Sequence, residues 1–241
     1  VTDAPDAAAP PVELLADVPR VAADVSTAHG ALAACDGADV VYLCVNVPYD
    51  RWTAVMPKTV HHVLAAVRGR GVRLVFPGNV YGYGPLLECP AREDHPRQAR
   101  GPKGRLRNDV EQTLLDAHAR GTVRVVIPRL PDFYGPGVTN ELYGGVFRAA
   151  LRGRRALWLG RRDRPHDLLF VEDAARACVA LAECDDAYGQ SWHVPGAGPL
   201  TGQAFVEQVY AAAGQPARLQ VAGRLVLRLL GLFNPVIREL P

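Results

Sequence analysis

Three runs of mostly apolar residues alternate with segments of helical periodicity, and this alternation predicts the fold. The runs extend from Val40 to Val45, from Val72 to Phe76 and from Val123 to Ile127. They are apolar almost throughout, broken only by Arg73 and Arg124, as expected of parallel strands that are covered on both faces. Strand–helix–strand order with right-handed crossovers then predicts an α/β protein with a Rossmann-like, doubly wound parallel sheet.

Apolar residues spaced three and four positions apart mark the helices between and after these runs. The predicted helices are Thr27 to Cys35, Arg51 to Arg68, Lys103 to Arg120, Leu142 to Arg152, Glu172 to Glu183 and Thr201 to Gly214. Shorter strands are predicted at Val18 to Val25, Ala156 to Leu159 and Leu168 to Val171.

Residues 77–102 are predicted to form a long loop with several prolines and charges of both signs. Loops of this length inside a compact domain are usually functional or mobile. In doubly wound sheets, ligands bind beyond the carboxyl ends of the strands. We therefore expect the functional residues just after Val45, Phe76 and Ile127.

Composition and charge limit the partners of the chain. Its 241 residues are 49% apolar, which is enough for one full domain or one and a half. The formal net charge of +2 is too small to indicate nucleic acid or an acidic membrane surface. No apolar run approaches the roughly 18 residues of a membrane span. We therefore expect a small-molecule substrate, with neither a nucleic acid nor a membrane as partner.

Cysteine and histidine positions exclude two further kinds of site. The five cysteines are scattered without a C-x-x-C pair, which favours a reducing, cytoplasmic location. Cys35, Cys44 and Cys178 fall in apolar runs and are expected in the core. His61 and His62 have no acidic partner at zinc-ligand spacing, so no metal site is predicted.

Several short segments, in this order, resemble an extended short-chain dehydrogenase/reductase of the NAD-dependent epimerase/dehydratase type. They are Ala23-Asp24-Val25, Gly37 to Val41, the Asn79 to Gly84 turn, Val110-Glu111, Arg129 with Phe133 to Gly137, and Phe170 to Ala175. The resemblance extends over roughly residues 20–215 and depends on the order and spacing of the segments rather than on any one of them.

The resemblance implies that NAD or NADP lies across the sheet, and the sequence leaves the choice between them open. By position, Asp24 and Val25 would lie near the adenine. The segment Cys44, Val45 and Asn46 would follow the ribose and nicotinamide, and Pro128 and Arg129 would flank the nicotinamide. Asp24 has an alternative interpretation as a turn or helix-capping aspartate.

The resemblance also implies two lobes. Residues 1–135, with a return over 167–185, would form the dinucleotide-binding domain. Residues 136–166 and 186–241 would form a smaller substrate-binding lobe that includes Tyr134 and His166, although His166 is also compatible with a simple surface position. Six arginines before His166 suit either substrate phosphates or a solvated hairpin: Arg152, Arg154, Arg155, Arg161, Arg162 and Arg164.

Two departures from the family pattern bear on the chemistry. The first strand and its G-x-x-G-x-x-G loop, which binds pyrophosphate, are expected before residue 1, so a truncated or misassigned reading frame is one interpretation. The Tyr-x-x-x-Lys pair, counted back from Val110-Glu111, is replaced by Lys103 and Arg107, and the serine position is Asn79.

The catalytic tyrosine works because a nearby ammonium lowers the pKa of its phenol, and arginine cannot take its place as a proton donor at neutral pH. The candidate catalytic residues are therefore Asn79 as a hydrogen-bond donor, Tyr81 or Tyr83 as an alternative phenol, and Lys103 with Arg107. The alternative for Lys103 and Arg107 is that both are solvated helix charges.

These expectations give one main function and two alternatives. The first is an atypical NAD(P)-dependent epimerase/dehydratase-type oxidoreductase that acts on a small carbonyl or hydroxyl metabolite, a sugar or a natural-product intermediate. The second is a non-redox dinucleotide-binding or regulatory protein on the same fold. The third is a fragment whose open sheet edge a second copy covers as a homodimer. Leu225 to Phe233 is a candidate contact surface, and is equally compatible with core or a substrate lid.

Overall fold

The helices and strands follow the predicted pattern closely in the structure, a computed structural model that describes residues 18–138 and 141–222. The helices are α1 (Ala28–Ala34), α2 (Trp52–Val67), α3 (Pro102–Ala119), α4 (Glu141–Leu151), α5 (Val171–Glu183) and α6 (Gly202–Ala212). The strands are β1 (Val40–Tyr42), β2 (Arg73–Val75), β3 (Gly78–Asn79), β4 (Arg124–Leu130), β5 (Asp132–Tyr134), β6 (Ala156–Leu159), β7 (Pro165–His166), β8 (Leu168–Phe170), β9 (Ser191–His193), β10 (Leu200–Thr201) and β11 (Leu219–Ala222). All six predicted helices are confirmed, with ends shifted by one or two residues.

The three apolar runs form neighbouring strands of one parallel sheet. β1 pairs with β2, β2 pairs with β4, and β3 continues the pairing of β2 along β4 in the same register. β9 pairs in parallel with β4 through Ile127, Pro128 and Arg129. The five strands are therefore all parallel, and their carboxyl ends lie at one edge.

Helices cover both faces of this sheet, so the prediction of a doubly wound α/β fold is confirmed. One face is packed by α1, α2 and α3 through a core that includes Trp52, Val63 and Leu114. The other face is packed by α5 through Cys178 and Ala182 against the sheet. Burial on both faces explains why the strands lack a polar alternation.

Two strand predictions are wrong at their ends. Val18 to Val25 forms no strand, because Asp24 instead begins a turn in which the Thr27 N–H donates to the Asp24 carbonyl oxygen at 3.0 Å. β4 does not end before Pro128 but continues to Leu130. Proline is tolerated there because the nitrogen of residue 128 faces the gap between β2 and β3, where no ladder bond is lost.

The chain forms two units, which are described separately. The first contains Val1–Leu130 and Ala174–Val194, and the second contains Pro131–Asp173 and Pro195–Pro241. The sequence-based boundaries were 135, 166 and 185. They differ because β5 pairs with β8 within the second unit and β9 joins the sheet of the first.

The second unit has a core of aromatic residues on α4, α6 and β6. Tyr143, Trp158, Phe205 and Tyr210 are its largest buried members. Its strands pair as β5 with β8, β6 with β11 and β7 with β10.

The structure also tests the expectations about cysteines, metals and membranes. Cys35 and Cys178 are buried as predicted, but the prediction for Cys44 is wrong, since its side chain is exposed just beyond the end of β1. Over residues 18–138 and 141–222 no group of side chains is arranged to hold a metal ion, and no helix is long and apolar enough to cross a membrane. Leu225 to Phe233 lies outside the described residues.

Candidate active site

A close approach of α3 to the turn after β3 builds the candidate site in the first unit. A Cβ atom at Gly104 would lie 2.7 Å from the carbonyl oxygen of Tyr81, and one at Gly82 would lie 2.1 Å from Oδ1 of Asn108. The Asn108 side chain also donates to the Gly82 carbonyl oxygen at 3.1 Å. The two glycines therefore let α3 lie directly against the turn, which brings its first residues to the carboxyl edge of the sheet.

Five side chains meet at this edge and form what we call the aromatic–cation cluster: Tyr49, Trp52, Tyr81, Lys103 and Arg107. The Tyr49 and Tyr81 hydroxyls lie 3.1 Å apart, and the Tyr81 ring stacks on Trp52 at 6.4 Å between centroids. Lys103 Nζ lies 4.0 Å from the centre of the Tyr49 ring, and Arg107 Cζ lies 4.5 Å from that of Trp52. The structure thus brings together three predicted residues, Tyr81, Lys103 and Arg107.

Arg107 is not a solvated helix charge, so that alternative is wrong for this residue. Its side chain is buried between Trp52 and Phe76, whose ring centre lies 5.6 Å from Arg107 Cζ. Burial lowers the pKa of Arg107 from its usual value, because water no longer stabilises the charge. Lys103 is half-buried one helical turn earlier.

A second group of side chains, the buried polar network, lies in the same unit and consists of Tyr83, Glu93, Glu111, Arg129 and His193. Arg129 donates from Nε and Nη2 to one oxygen of Glu111, at 3.1 and 2.8 Å. Its Nη1 donates to the Tyr83 hydroxyl at 2.7 Å and to the Glu93 carbonyl oxygen at 3.0 Å. The Arg129 guanidinium is thus used entirely within the protein.

The proton positions in this network follow from the donors. Because Arg129 can only donate, the Tyr83 oxygen accepts from it, and the Tyr83 proton points to His193 Nε2 at 2.5 Å. His193 Nε2 is therefore the unprotonated nitrogen, and burial lowers the pKa of His193 accordingly. Burial likewise raises the pKa of Tyr83, which is only 3% exposed. Tyr83 is therefore held inside the network rather than presented to a substrate.

Asn79 and Tyr81 are the predicted residues that stay accessible. The Tyr81 N–H donates to Asn79 Oδ1 at 3.1 Å, which orients the amide and leaves its nitrogen as a donor. The Tyr81 side chain is 38% exposed. One turn therefore carries an amide donor and a phenol side by side.

The residues predicted to contact a cofactor fall into two groups. Cys44, Val45 and Asn46 are exposed at the carboxyl end of β1, as that role requires. Pro128 and Arg129 are buried within β4.

The first predicted cofactor segment, Asp24 with Val25, forms a turn. Asp24 Oδ1 accepts from the Ser26 backbone N–H at 2.9 Å and from the Ser26 hydroxyl at 2.7 Å. These bonds lower the pKa of the Asp24 carboxyl and confirm the interpretation as a turn aspartate. Thr27, rather than Asp24, caps α1, and Val25 packs against the core.

Tyr134 and His166 lie in the second unit. Tyr134 is half-buried and stacks on Phe147, with 6.2 Å between ring centroids. His166 is half-buried edge-on to Trp158 at 5.6 Å, and burial lowers the pKa of its imidazole. The six arginines of the predicted hairpin are all exposed: Arg152, Arg154, Arg155, Arg161, Arg162 and Arg164.

Sequence reasoning missed four residues of these clusters. Tyr49 and Trp52 lie in the short segment after β1, where Trp52 was assigned to an apolar helix stripe. Glu93 lies in the long loop of residues 77–102, and His193 ends β9. The length of that loop was the available signal for Glu93, because loops of this kind are often functional.

Comparisons with known proteins agree with this architecture. Three solved structures resemble the fold. An epimerase from Methanothermobacter thermautotrophicus has a TM-score of 0.74 and 18% identity, over 85% of this chain and 66% of that one. A dTDP-glucose 4,6-dehydratase from Bacillus anthracis, in complex with NAD, has a TM-score of 0.77 and 17% identity, over 88% and 70%. RMD from Pseudomonas aeruginosa, complexed with NADPH, has a TM-score of 0.73 and 18% identity, over 88% and 79%.

The chain therefore spans about two thirds of the length of the first of these structures. Identities this low indicate a shared fold and not a shared reaction. A comparison with curated protein sequences found no match. The model of the NAD dependent epimerase/dehydratase family, however, matches residues 4–194. Because that match includes the whole parallel sheet, α3 and both side-chain clusters, the chain belongs to the NAD-dependent epimerase/dehydratase family.

Proposed function

We propose that the chain is an NAD(P)-dependent enzyme of the epimerase/dehydratase type that acts on a small metabolite with a carbonyl or hydroxyl group, a sugar or a natural-product intermediate. The observation that carries the proposal is the exposed Asn79–Tyr81 turn at the carboxyl edge of a parallel sheet. Ligands of doubly wound sheets bind at this edge. The five thiols are all free, which supports a reducing, cytoplasmic location.

NAD or NADP is the proposed cofactor, since similar structures were solved with NAD and with NADPH. When bound, the nicotinamide would accept or give a hydride. The exposed segment Cys44 to Asn46 fits such a group, because its backbone is accessible at the end of β1. Arg129 does not offer a contact, since all of its hydrogen bonds are internal. Asp24 retains one carboxylate oxygen for a donor such as an adenine amino group.

The side chains of this turn would then have separate roles. The Asn79 amide nitrogen would donate a hydrogen bond to a substrate oxygen and stabilise negative charge that develops there. Tyr81 would exchange a proton with the same oxygen, and its hydroxyl is within hydrogen-bond distance of Tyr49. Tyr134 and His166 stay candidates for substrate contacts of the second unit.

A non-redox role as a dinucleotide-binding or regulatory protein is the second candidate. It is favoured by Lys103 and Arg107, which stand at the positions of the family's tyrosine and lysine and cannot reproduce a phenol–ammonium pair. Under this proposal the chain would bind NADH or NADPH without reducing a carbonyl compound.

Cofactor binding and turnover separate the two candidates. NADH and NADPH binding is measured by nicotinamide fluorescence on the full-length protein, and turnover is followed over a panel of carbonyl substrates. We expect turnover to fall at least about 100-fold in Tyr81→Phe and to stay unchanged in Tyr42→Phe, a matched exposed tyrosine on β1. Binding without turnover would favour the non-redox role, and absence of binding would contradict both candidates.

A further inference from the structure

Arg107 and Arg129 make an informative pair, because two arginines of the same unit are equally buried but differ in their partners. Arg129 is 5% exposed and donates four hydrogen bonds, two of them to the carboxylate of Glu111. Arg107 is 8% exposed, and its Nε is fully buried with no hydrogen-bond partner. Within residues 18–138 and 141–222, Arg107 also forms no ion pair.

A buried guanidinium without an acceptor is an unusual arrangement. Arginine stays protonated in proteins and carries five N–H donors, so burial without acceptors leaves both a charge and donors uncompensated. Stacking on Trp52 and Phe76 holds the plane of the group but supplies no hydrogen-bond acceptor at its edge. The arrangement is that of a positive site that lacks its anion.

The neighbours of Arg107 are donors and cations as well. Lys103 precedes it by one helical turn in the first turn of α3, where the helix dipole also favours negative charge. The hydroxyls of Tyr49 and Tyr81 and the amide nitrogen of Asn79 lie on the adjoining segments. The carboxylate of Glu111 is bonded to Arg129. Every group at this edge therefore suits an oxyanion.

We propose that Arg107, with Lys103 beside it, binds a carboxylate or phosphate group of the substrate, so that the substrate of this chain is an anion. The inference rests on the proposed function, because it assigns the substrate to the Asn79–Tyr81 turn. A planar guanidinium pairs with either oxyanion through two parallel N–H···O bonds. The positions that hold tyrosine and lysine elsewhere in the family thus recognise substrate charge here.

Calorimetric titration tests the site without cofactor or turnover. The probes are benzoate and inorganic phosphate, with neutral benzamide as the control for the ring and constant ionic strength throughout. We expect saturable binding of at least one oxyanion and none of benzamide, and the oxyanion that binds more tightly identifies the group. Arg107→Met, which keeps the stem against Trp52, should weaken that binding at least about tenfold. Arg105→Gln removes an exposed charge on the same helix and should change it less than about twofold.

Two further variants keep the test decisive if Arg107→Met fails to fold. Arg107→Lys retains the charge without the planar fork, and Lys103→Gln removes the neighbouring charge; each should weaken oxyanion binding at least about threefold. Unchanged oxyanion affinity in a folded Arg107 variant, or no saturable binding by the wild-type chain, would overturn the proposal. Absence of turnover with every carbonyl compound would instead contradict the proposed function, while oxyanion binding that depends on Arg107 would still stand.

In an active enzyme, substrate pairs extend the test to recognition. A 2-oxo acid is compared with its amide, and a sugar phosphate with the free sugar. Arg107→Met should raise KM for the anionic member of a pair at least about tenfold and leave the neutral member within about twofold. A merely structural role for Arg107 would change both members equally, and that result would contradict the proposal.

Discussion

Glu111→Gln removes the negative charge from the centre of the buried polar network while keeping the size of the side chain. Glu111 and Arg129 are both buried, and Arg129 donates to one Glu111 oxygen at 3.1 and 2.8 Å. Arg97 Nη1 lies 3.5 Å from the same oxygen. A glutamine can still accept one hydrogen bond there, but it leaves the Arg129 charge unpaired inside the protein.

The expected loss of stability follows from this burial. Breaking a buried ion pair by removing one partner typically costs about 3–5 kcal/mol. The amide oxygen of glutamine retains part of the hydrogen bonding, so we expect about 3 kcal/mol. For a chain of this length, that loss corresponds to a fall in Tm of roughly 6–12 °C. The Arg97 contact adds little, because its side chain is partly exposed.

An exposed ion pair of the same unit supplies the control. Arg124 Nη2 lies 2.7 Å from Asp185 Oδ1, as close as Arg129 to Glu111, but both of its side chains are exposed. Asp185→Asn should therefore cost less than about 1 kcal/mol.

Urea unfolding followed by tryptophan fluorescence measures both variants under the same conditions. A loss below about 1 kcal/mol for Glu111→Gln, or equal losses for the two variants, would refute the reasoning that burial decides the strength of these pairs.

The remaining predictions concern pH and packing. Burial lowers the pKa of His193, so the unfolded chain binds a proton more readily below pH ~6.5 and stability should fall with pH there. His193→Gln, which can still accept from Tyr83, should flatten that fall; a Tm difference from wild type that is equal at pH 7.5 and pH 5.5, each roughly one unit from that pKa, would contradict this. A Cβ at Gly202 would lie 2.3 Å from the Trp158 ring, so Gly202→Ala should destabilise the second unit by about 1–3 kcal/mol. Gly145→Ala on α4 meets open space and should instead stabilise it by up to about 1 kcal/mol in the same thermal unfolding assay.

The fold could be predicted from the sequence because its signals are local. Runs such as Val123 to Ile127 are long and apolar enough to identify parallel strands, and glycines and capping residues mark the helix ends. Pro128 was read as the end of β4, because a proline removes a ladder bond from most strands. Its tolerance depends on the gap between β2 and β3, which is a property of the assembled sheet.

The candidate site was less predictable, because its contacts join residues far apart along the chain. Tyr83 was correctly suspected of carrying chemistry-bearing contacts, but its partner His193 lies 110 positions later. Likewise, nothing in the sequence near Arg107 shows that Trp52 packs against it. Positions on a helix can be counted from a motif, but their burial depends on which element lies opposite.

The substitution of the family's tyrosine–lysine pair did not require a different fold, and the packing of α3 explains why. α3 approaches the turn after β3 through Gly104 and Gly82, which touch the Tyr81 carbonyl and Asn108. These contacts do not involve the side chains at positions 103 and 107, so those residues can change while the backbone of the site is kept. Similarity of fold therefore says little about the reaction here. What distinguishes this chain is the set of groups around Arg107, which supplies donors and positive charge and so selects the substrate by its charge.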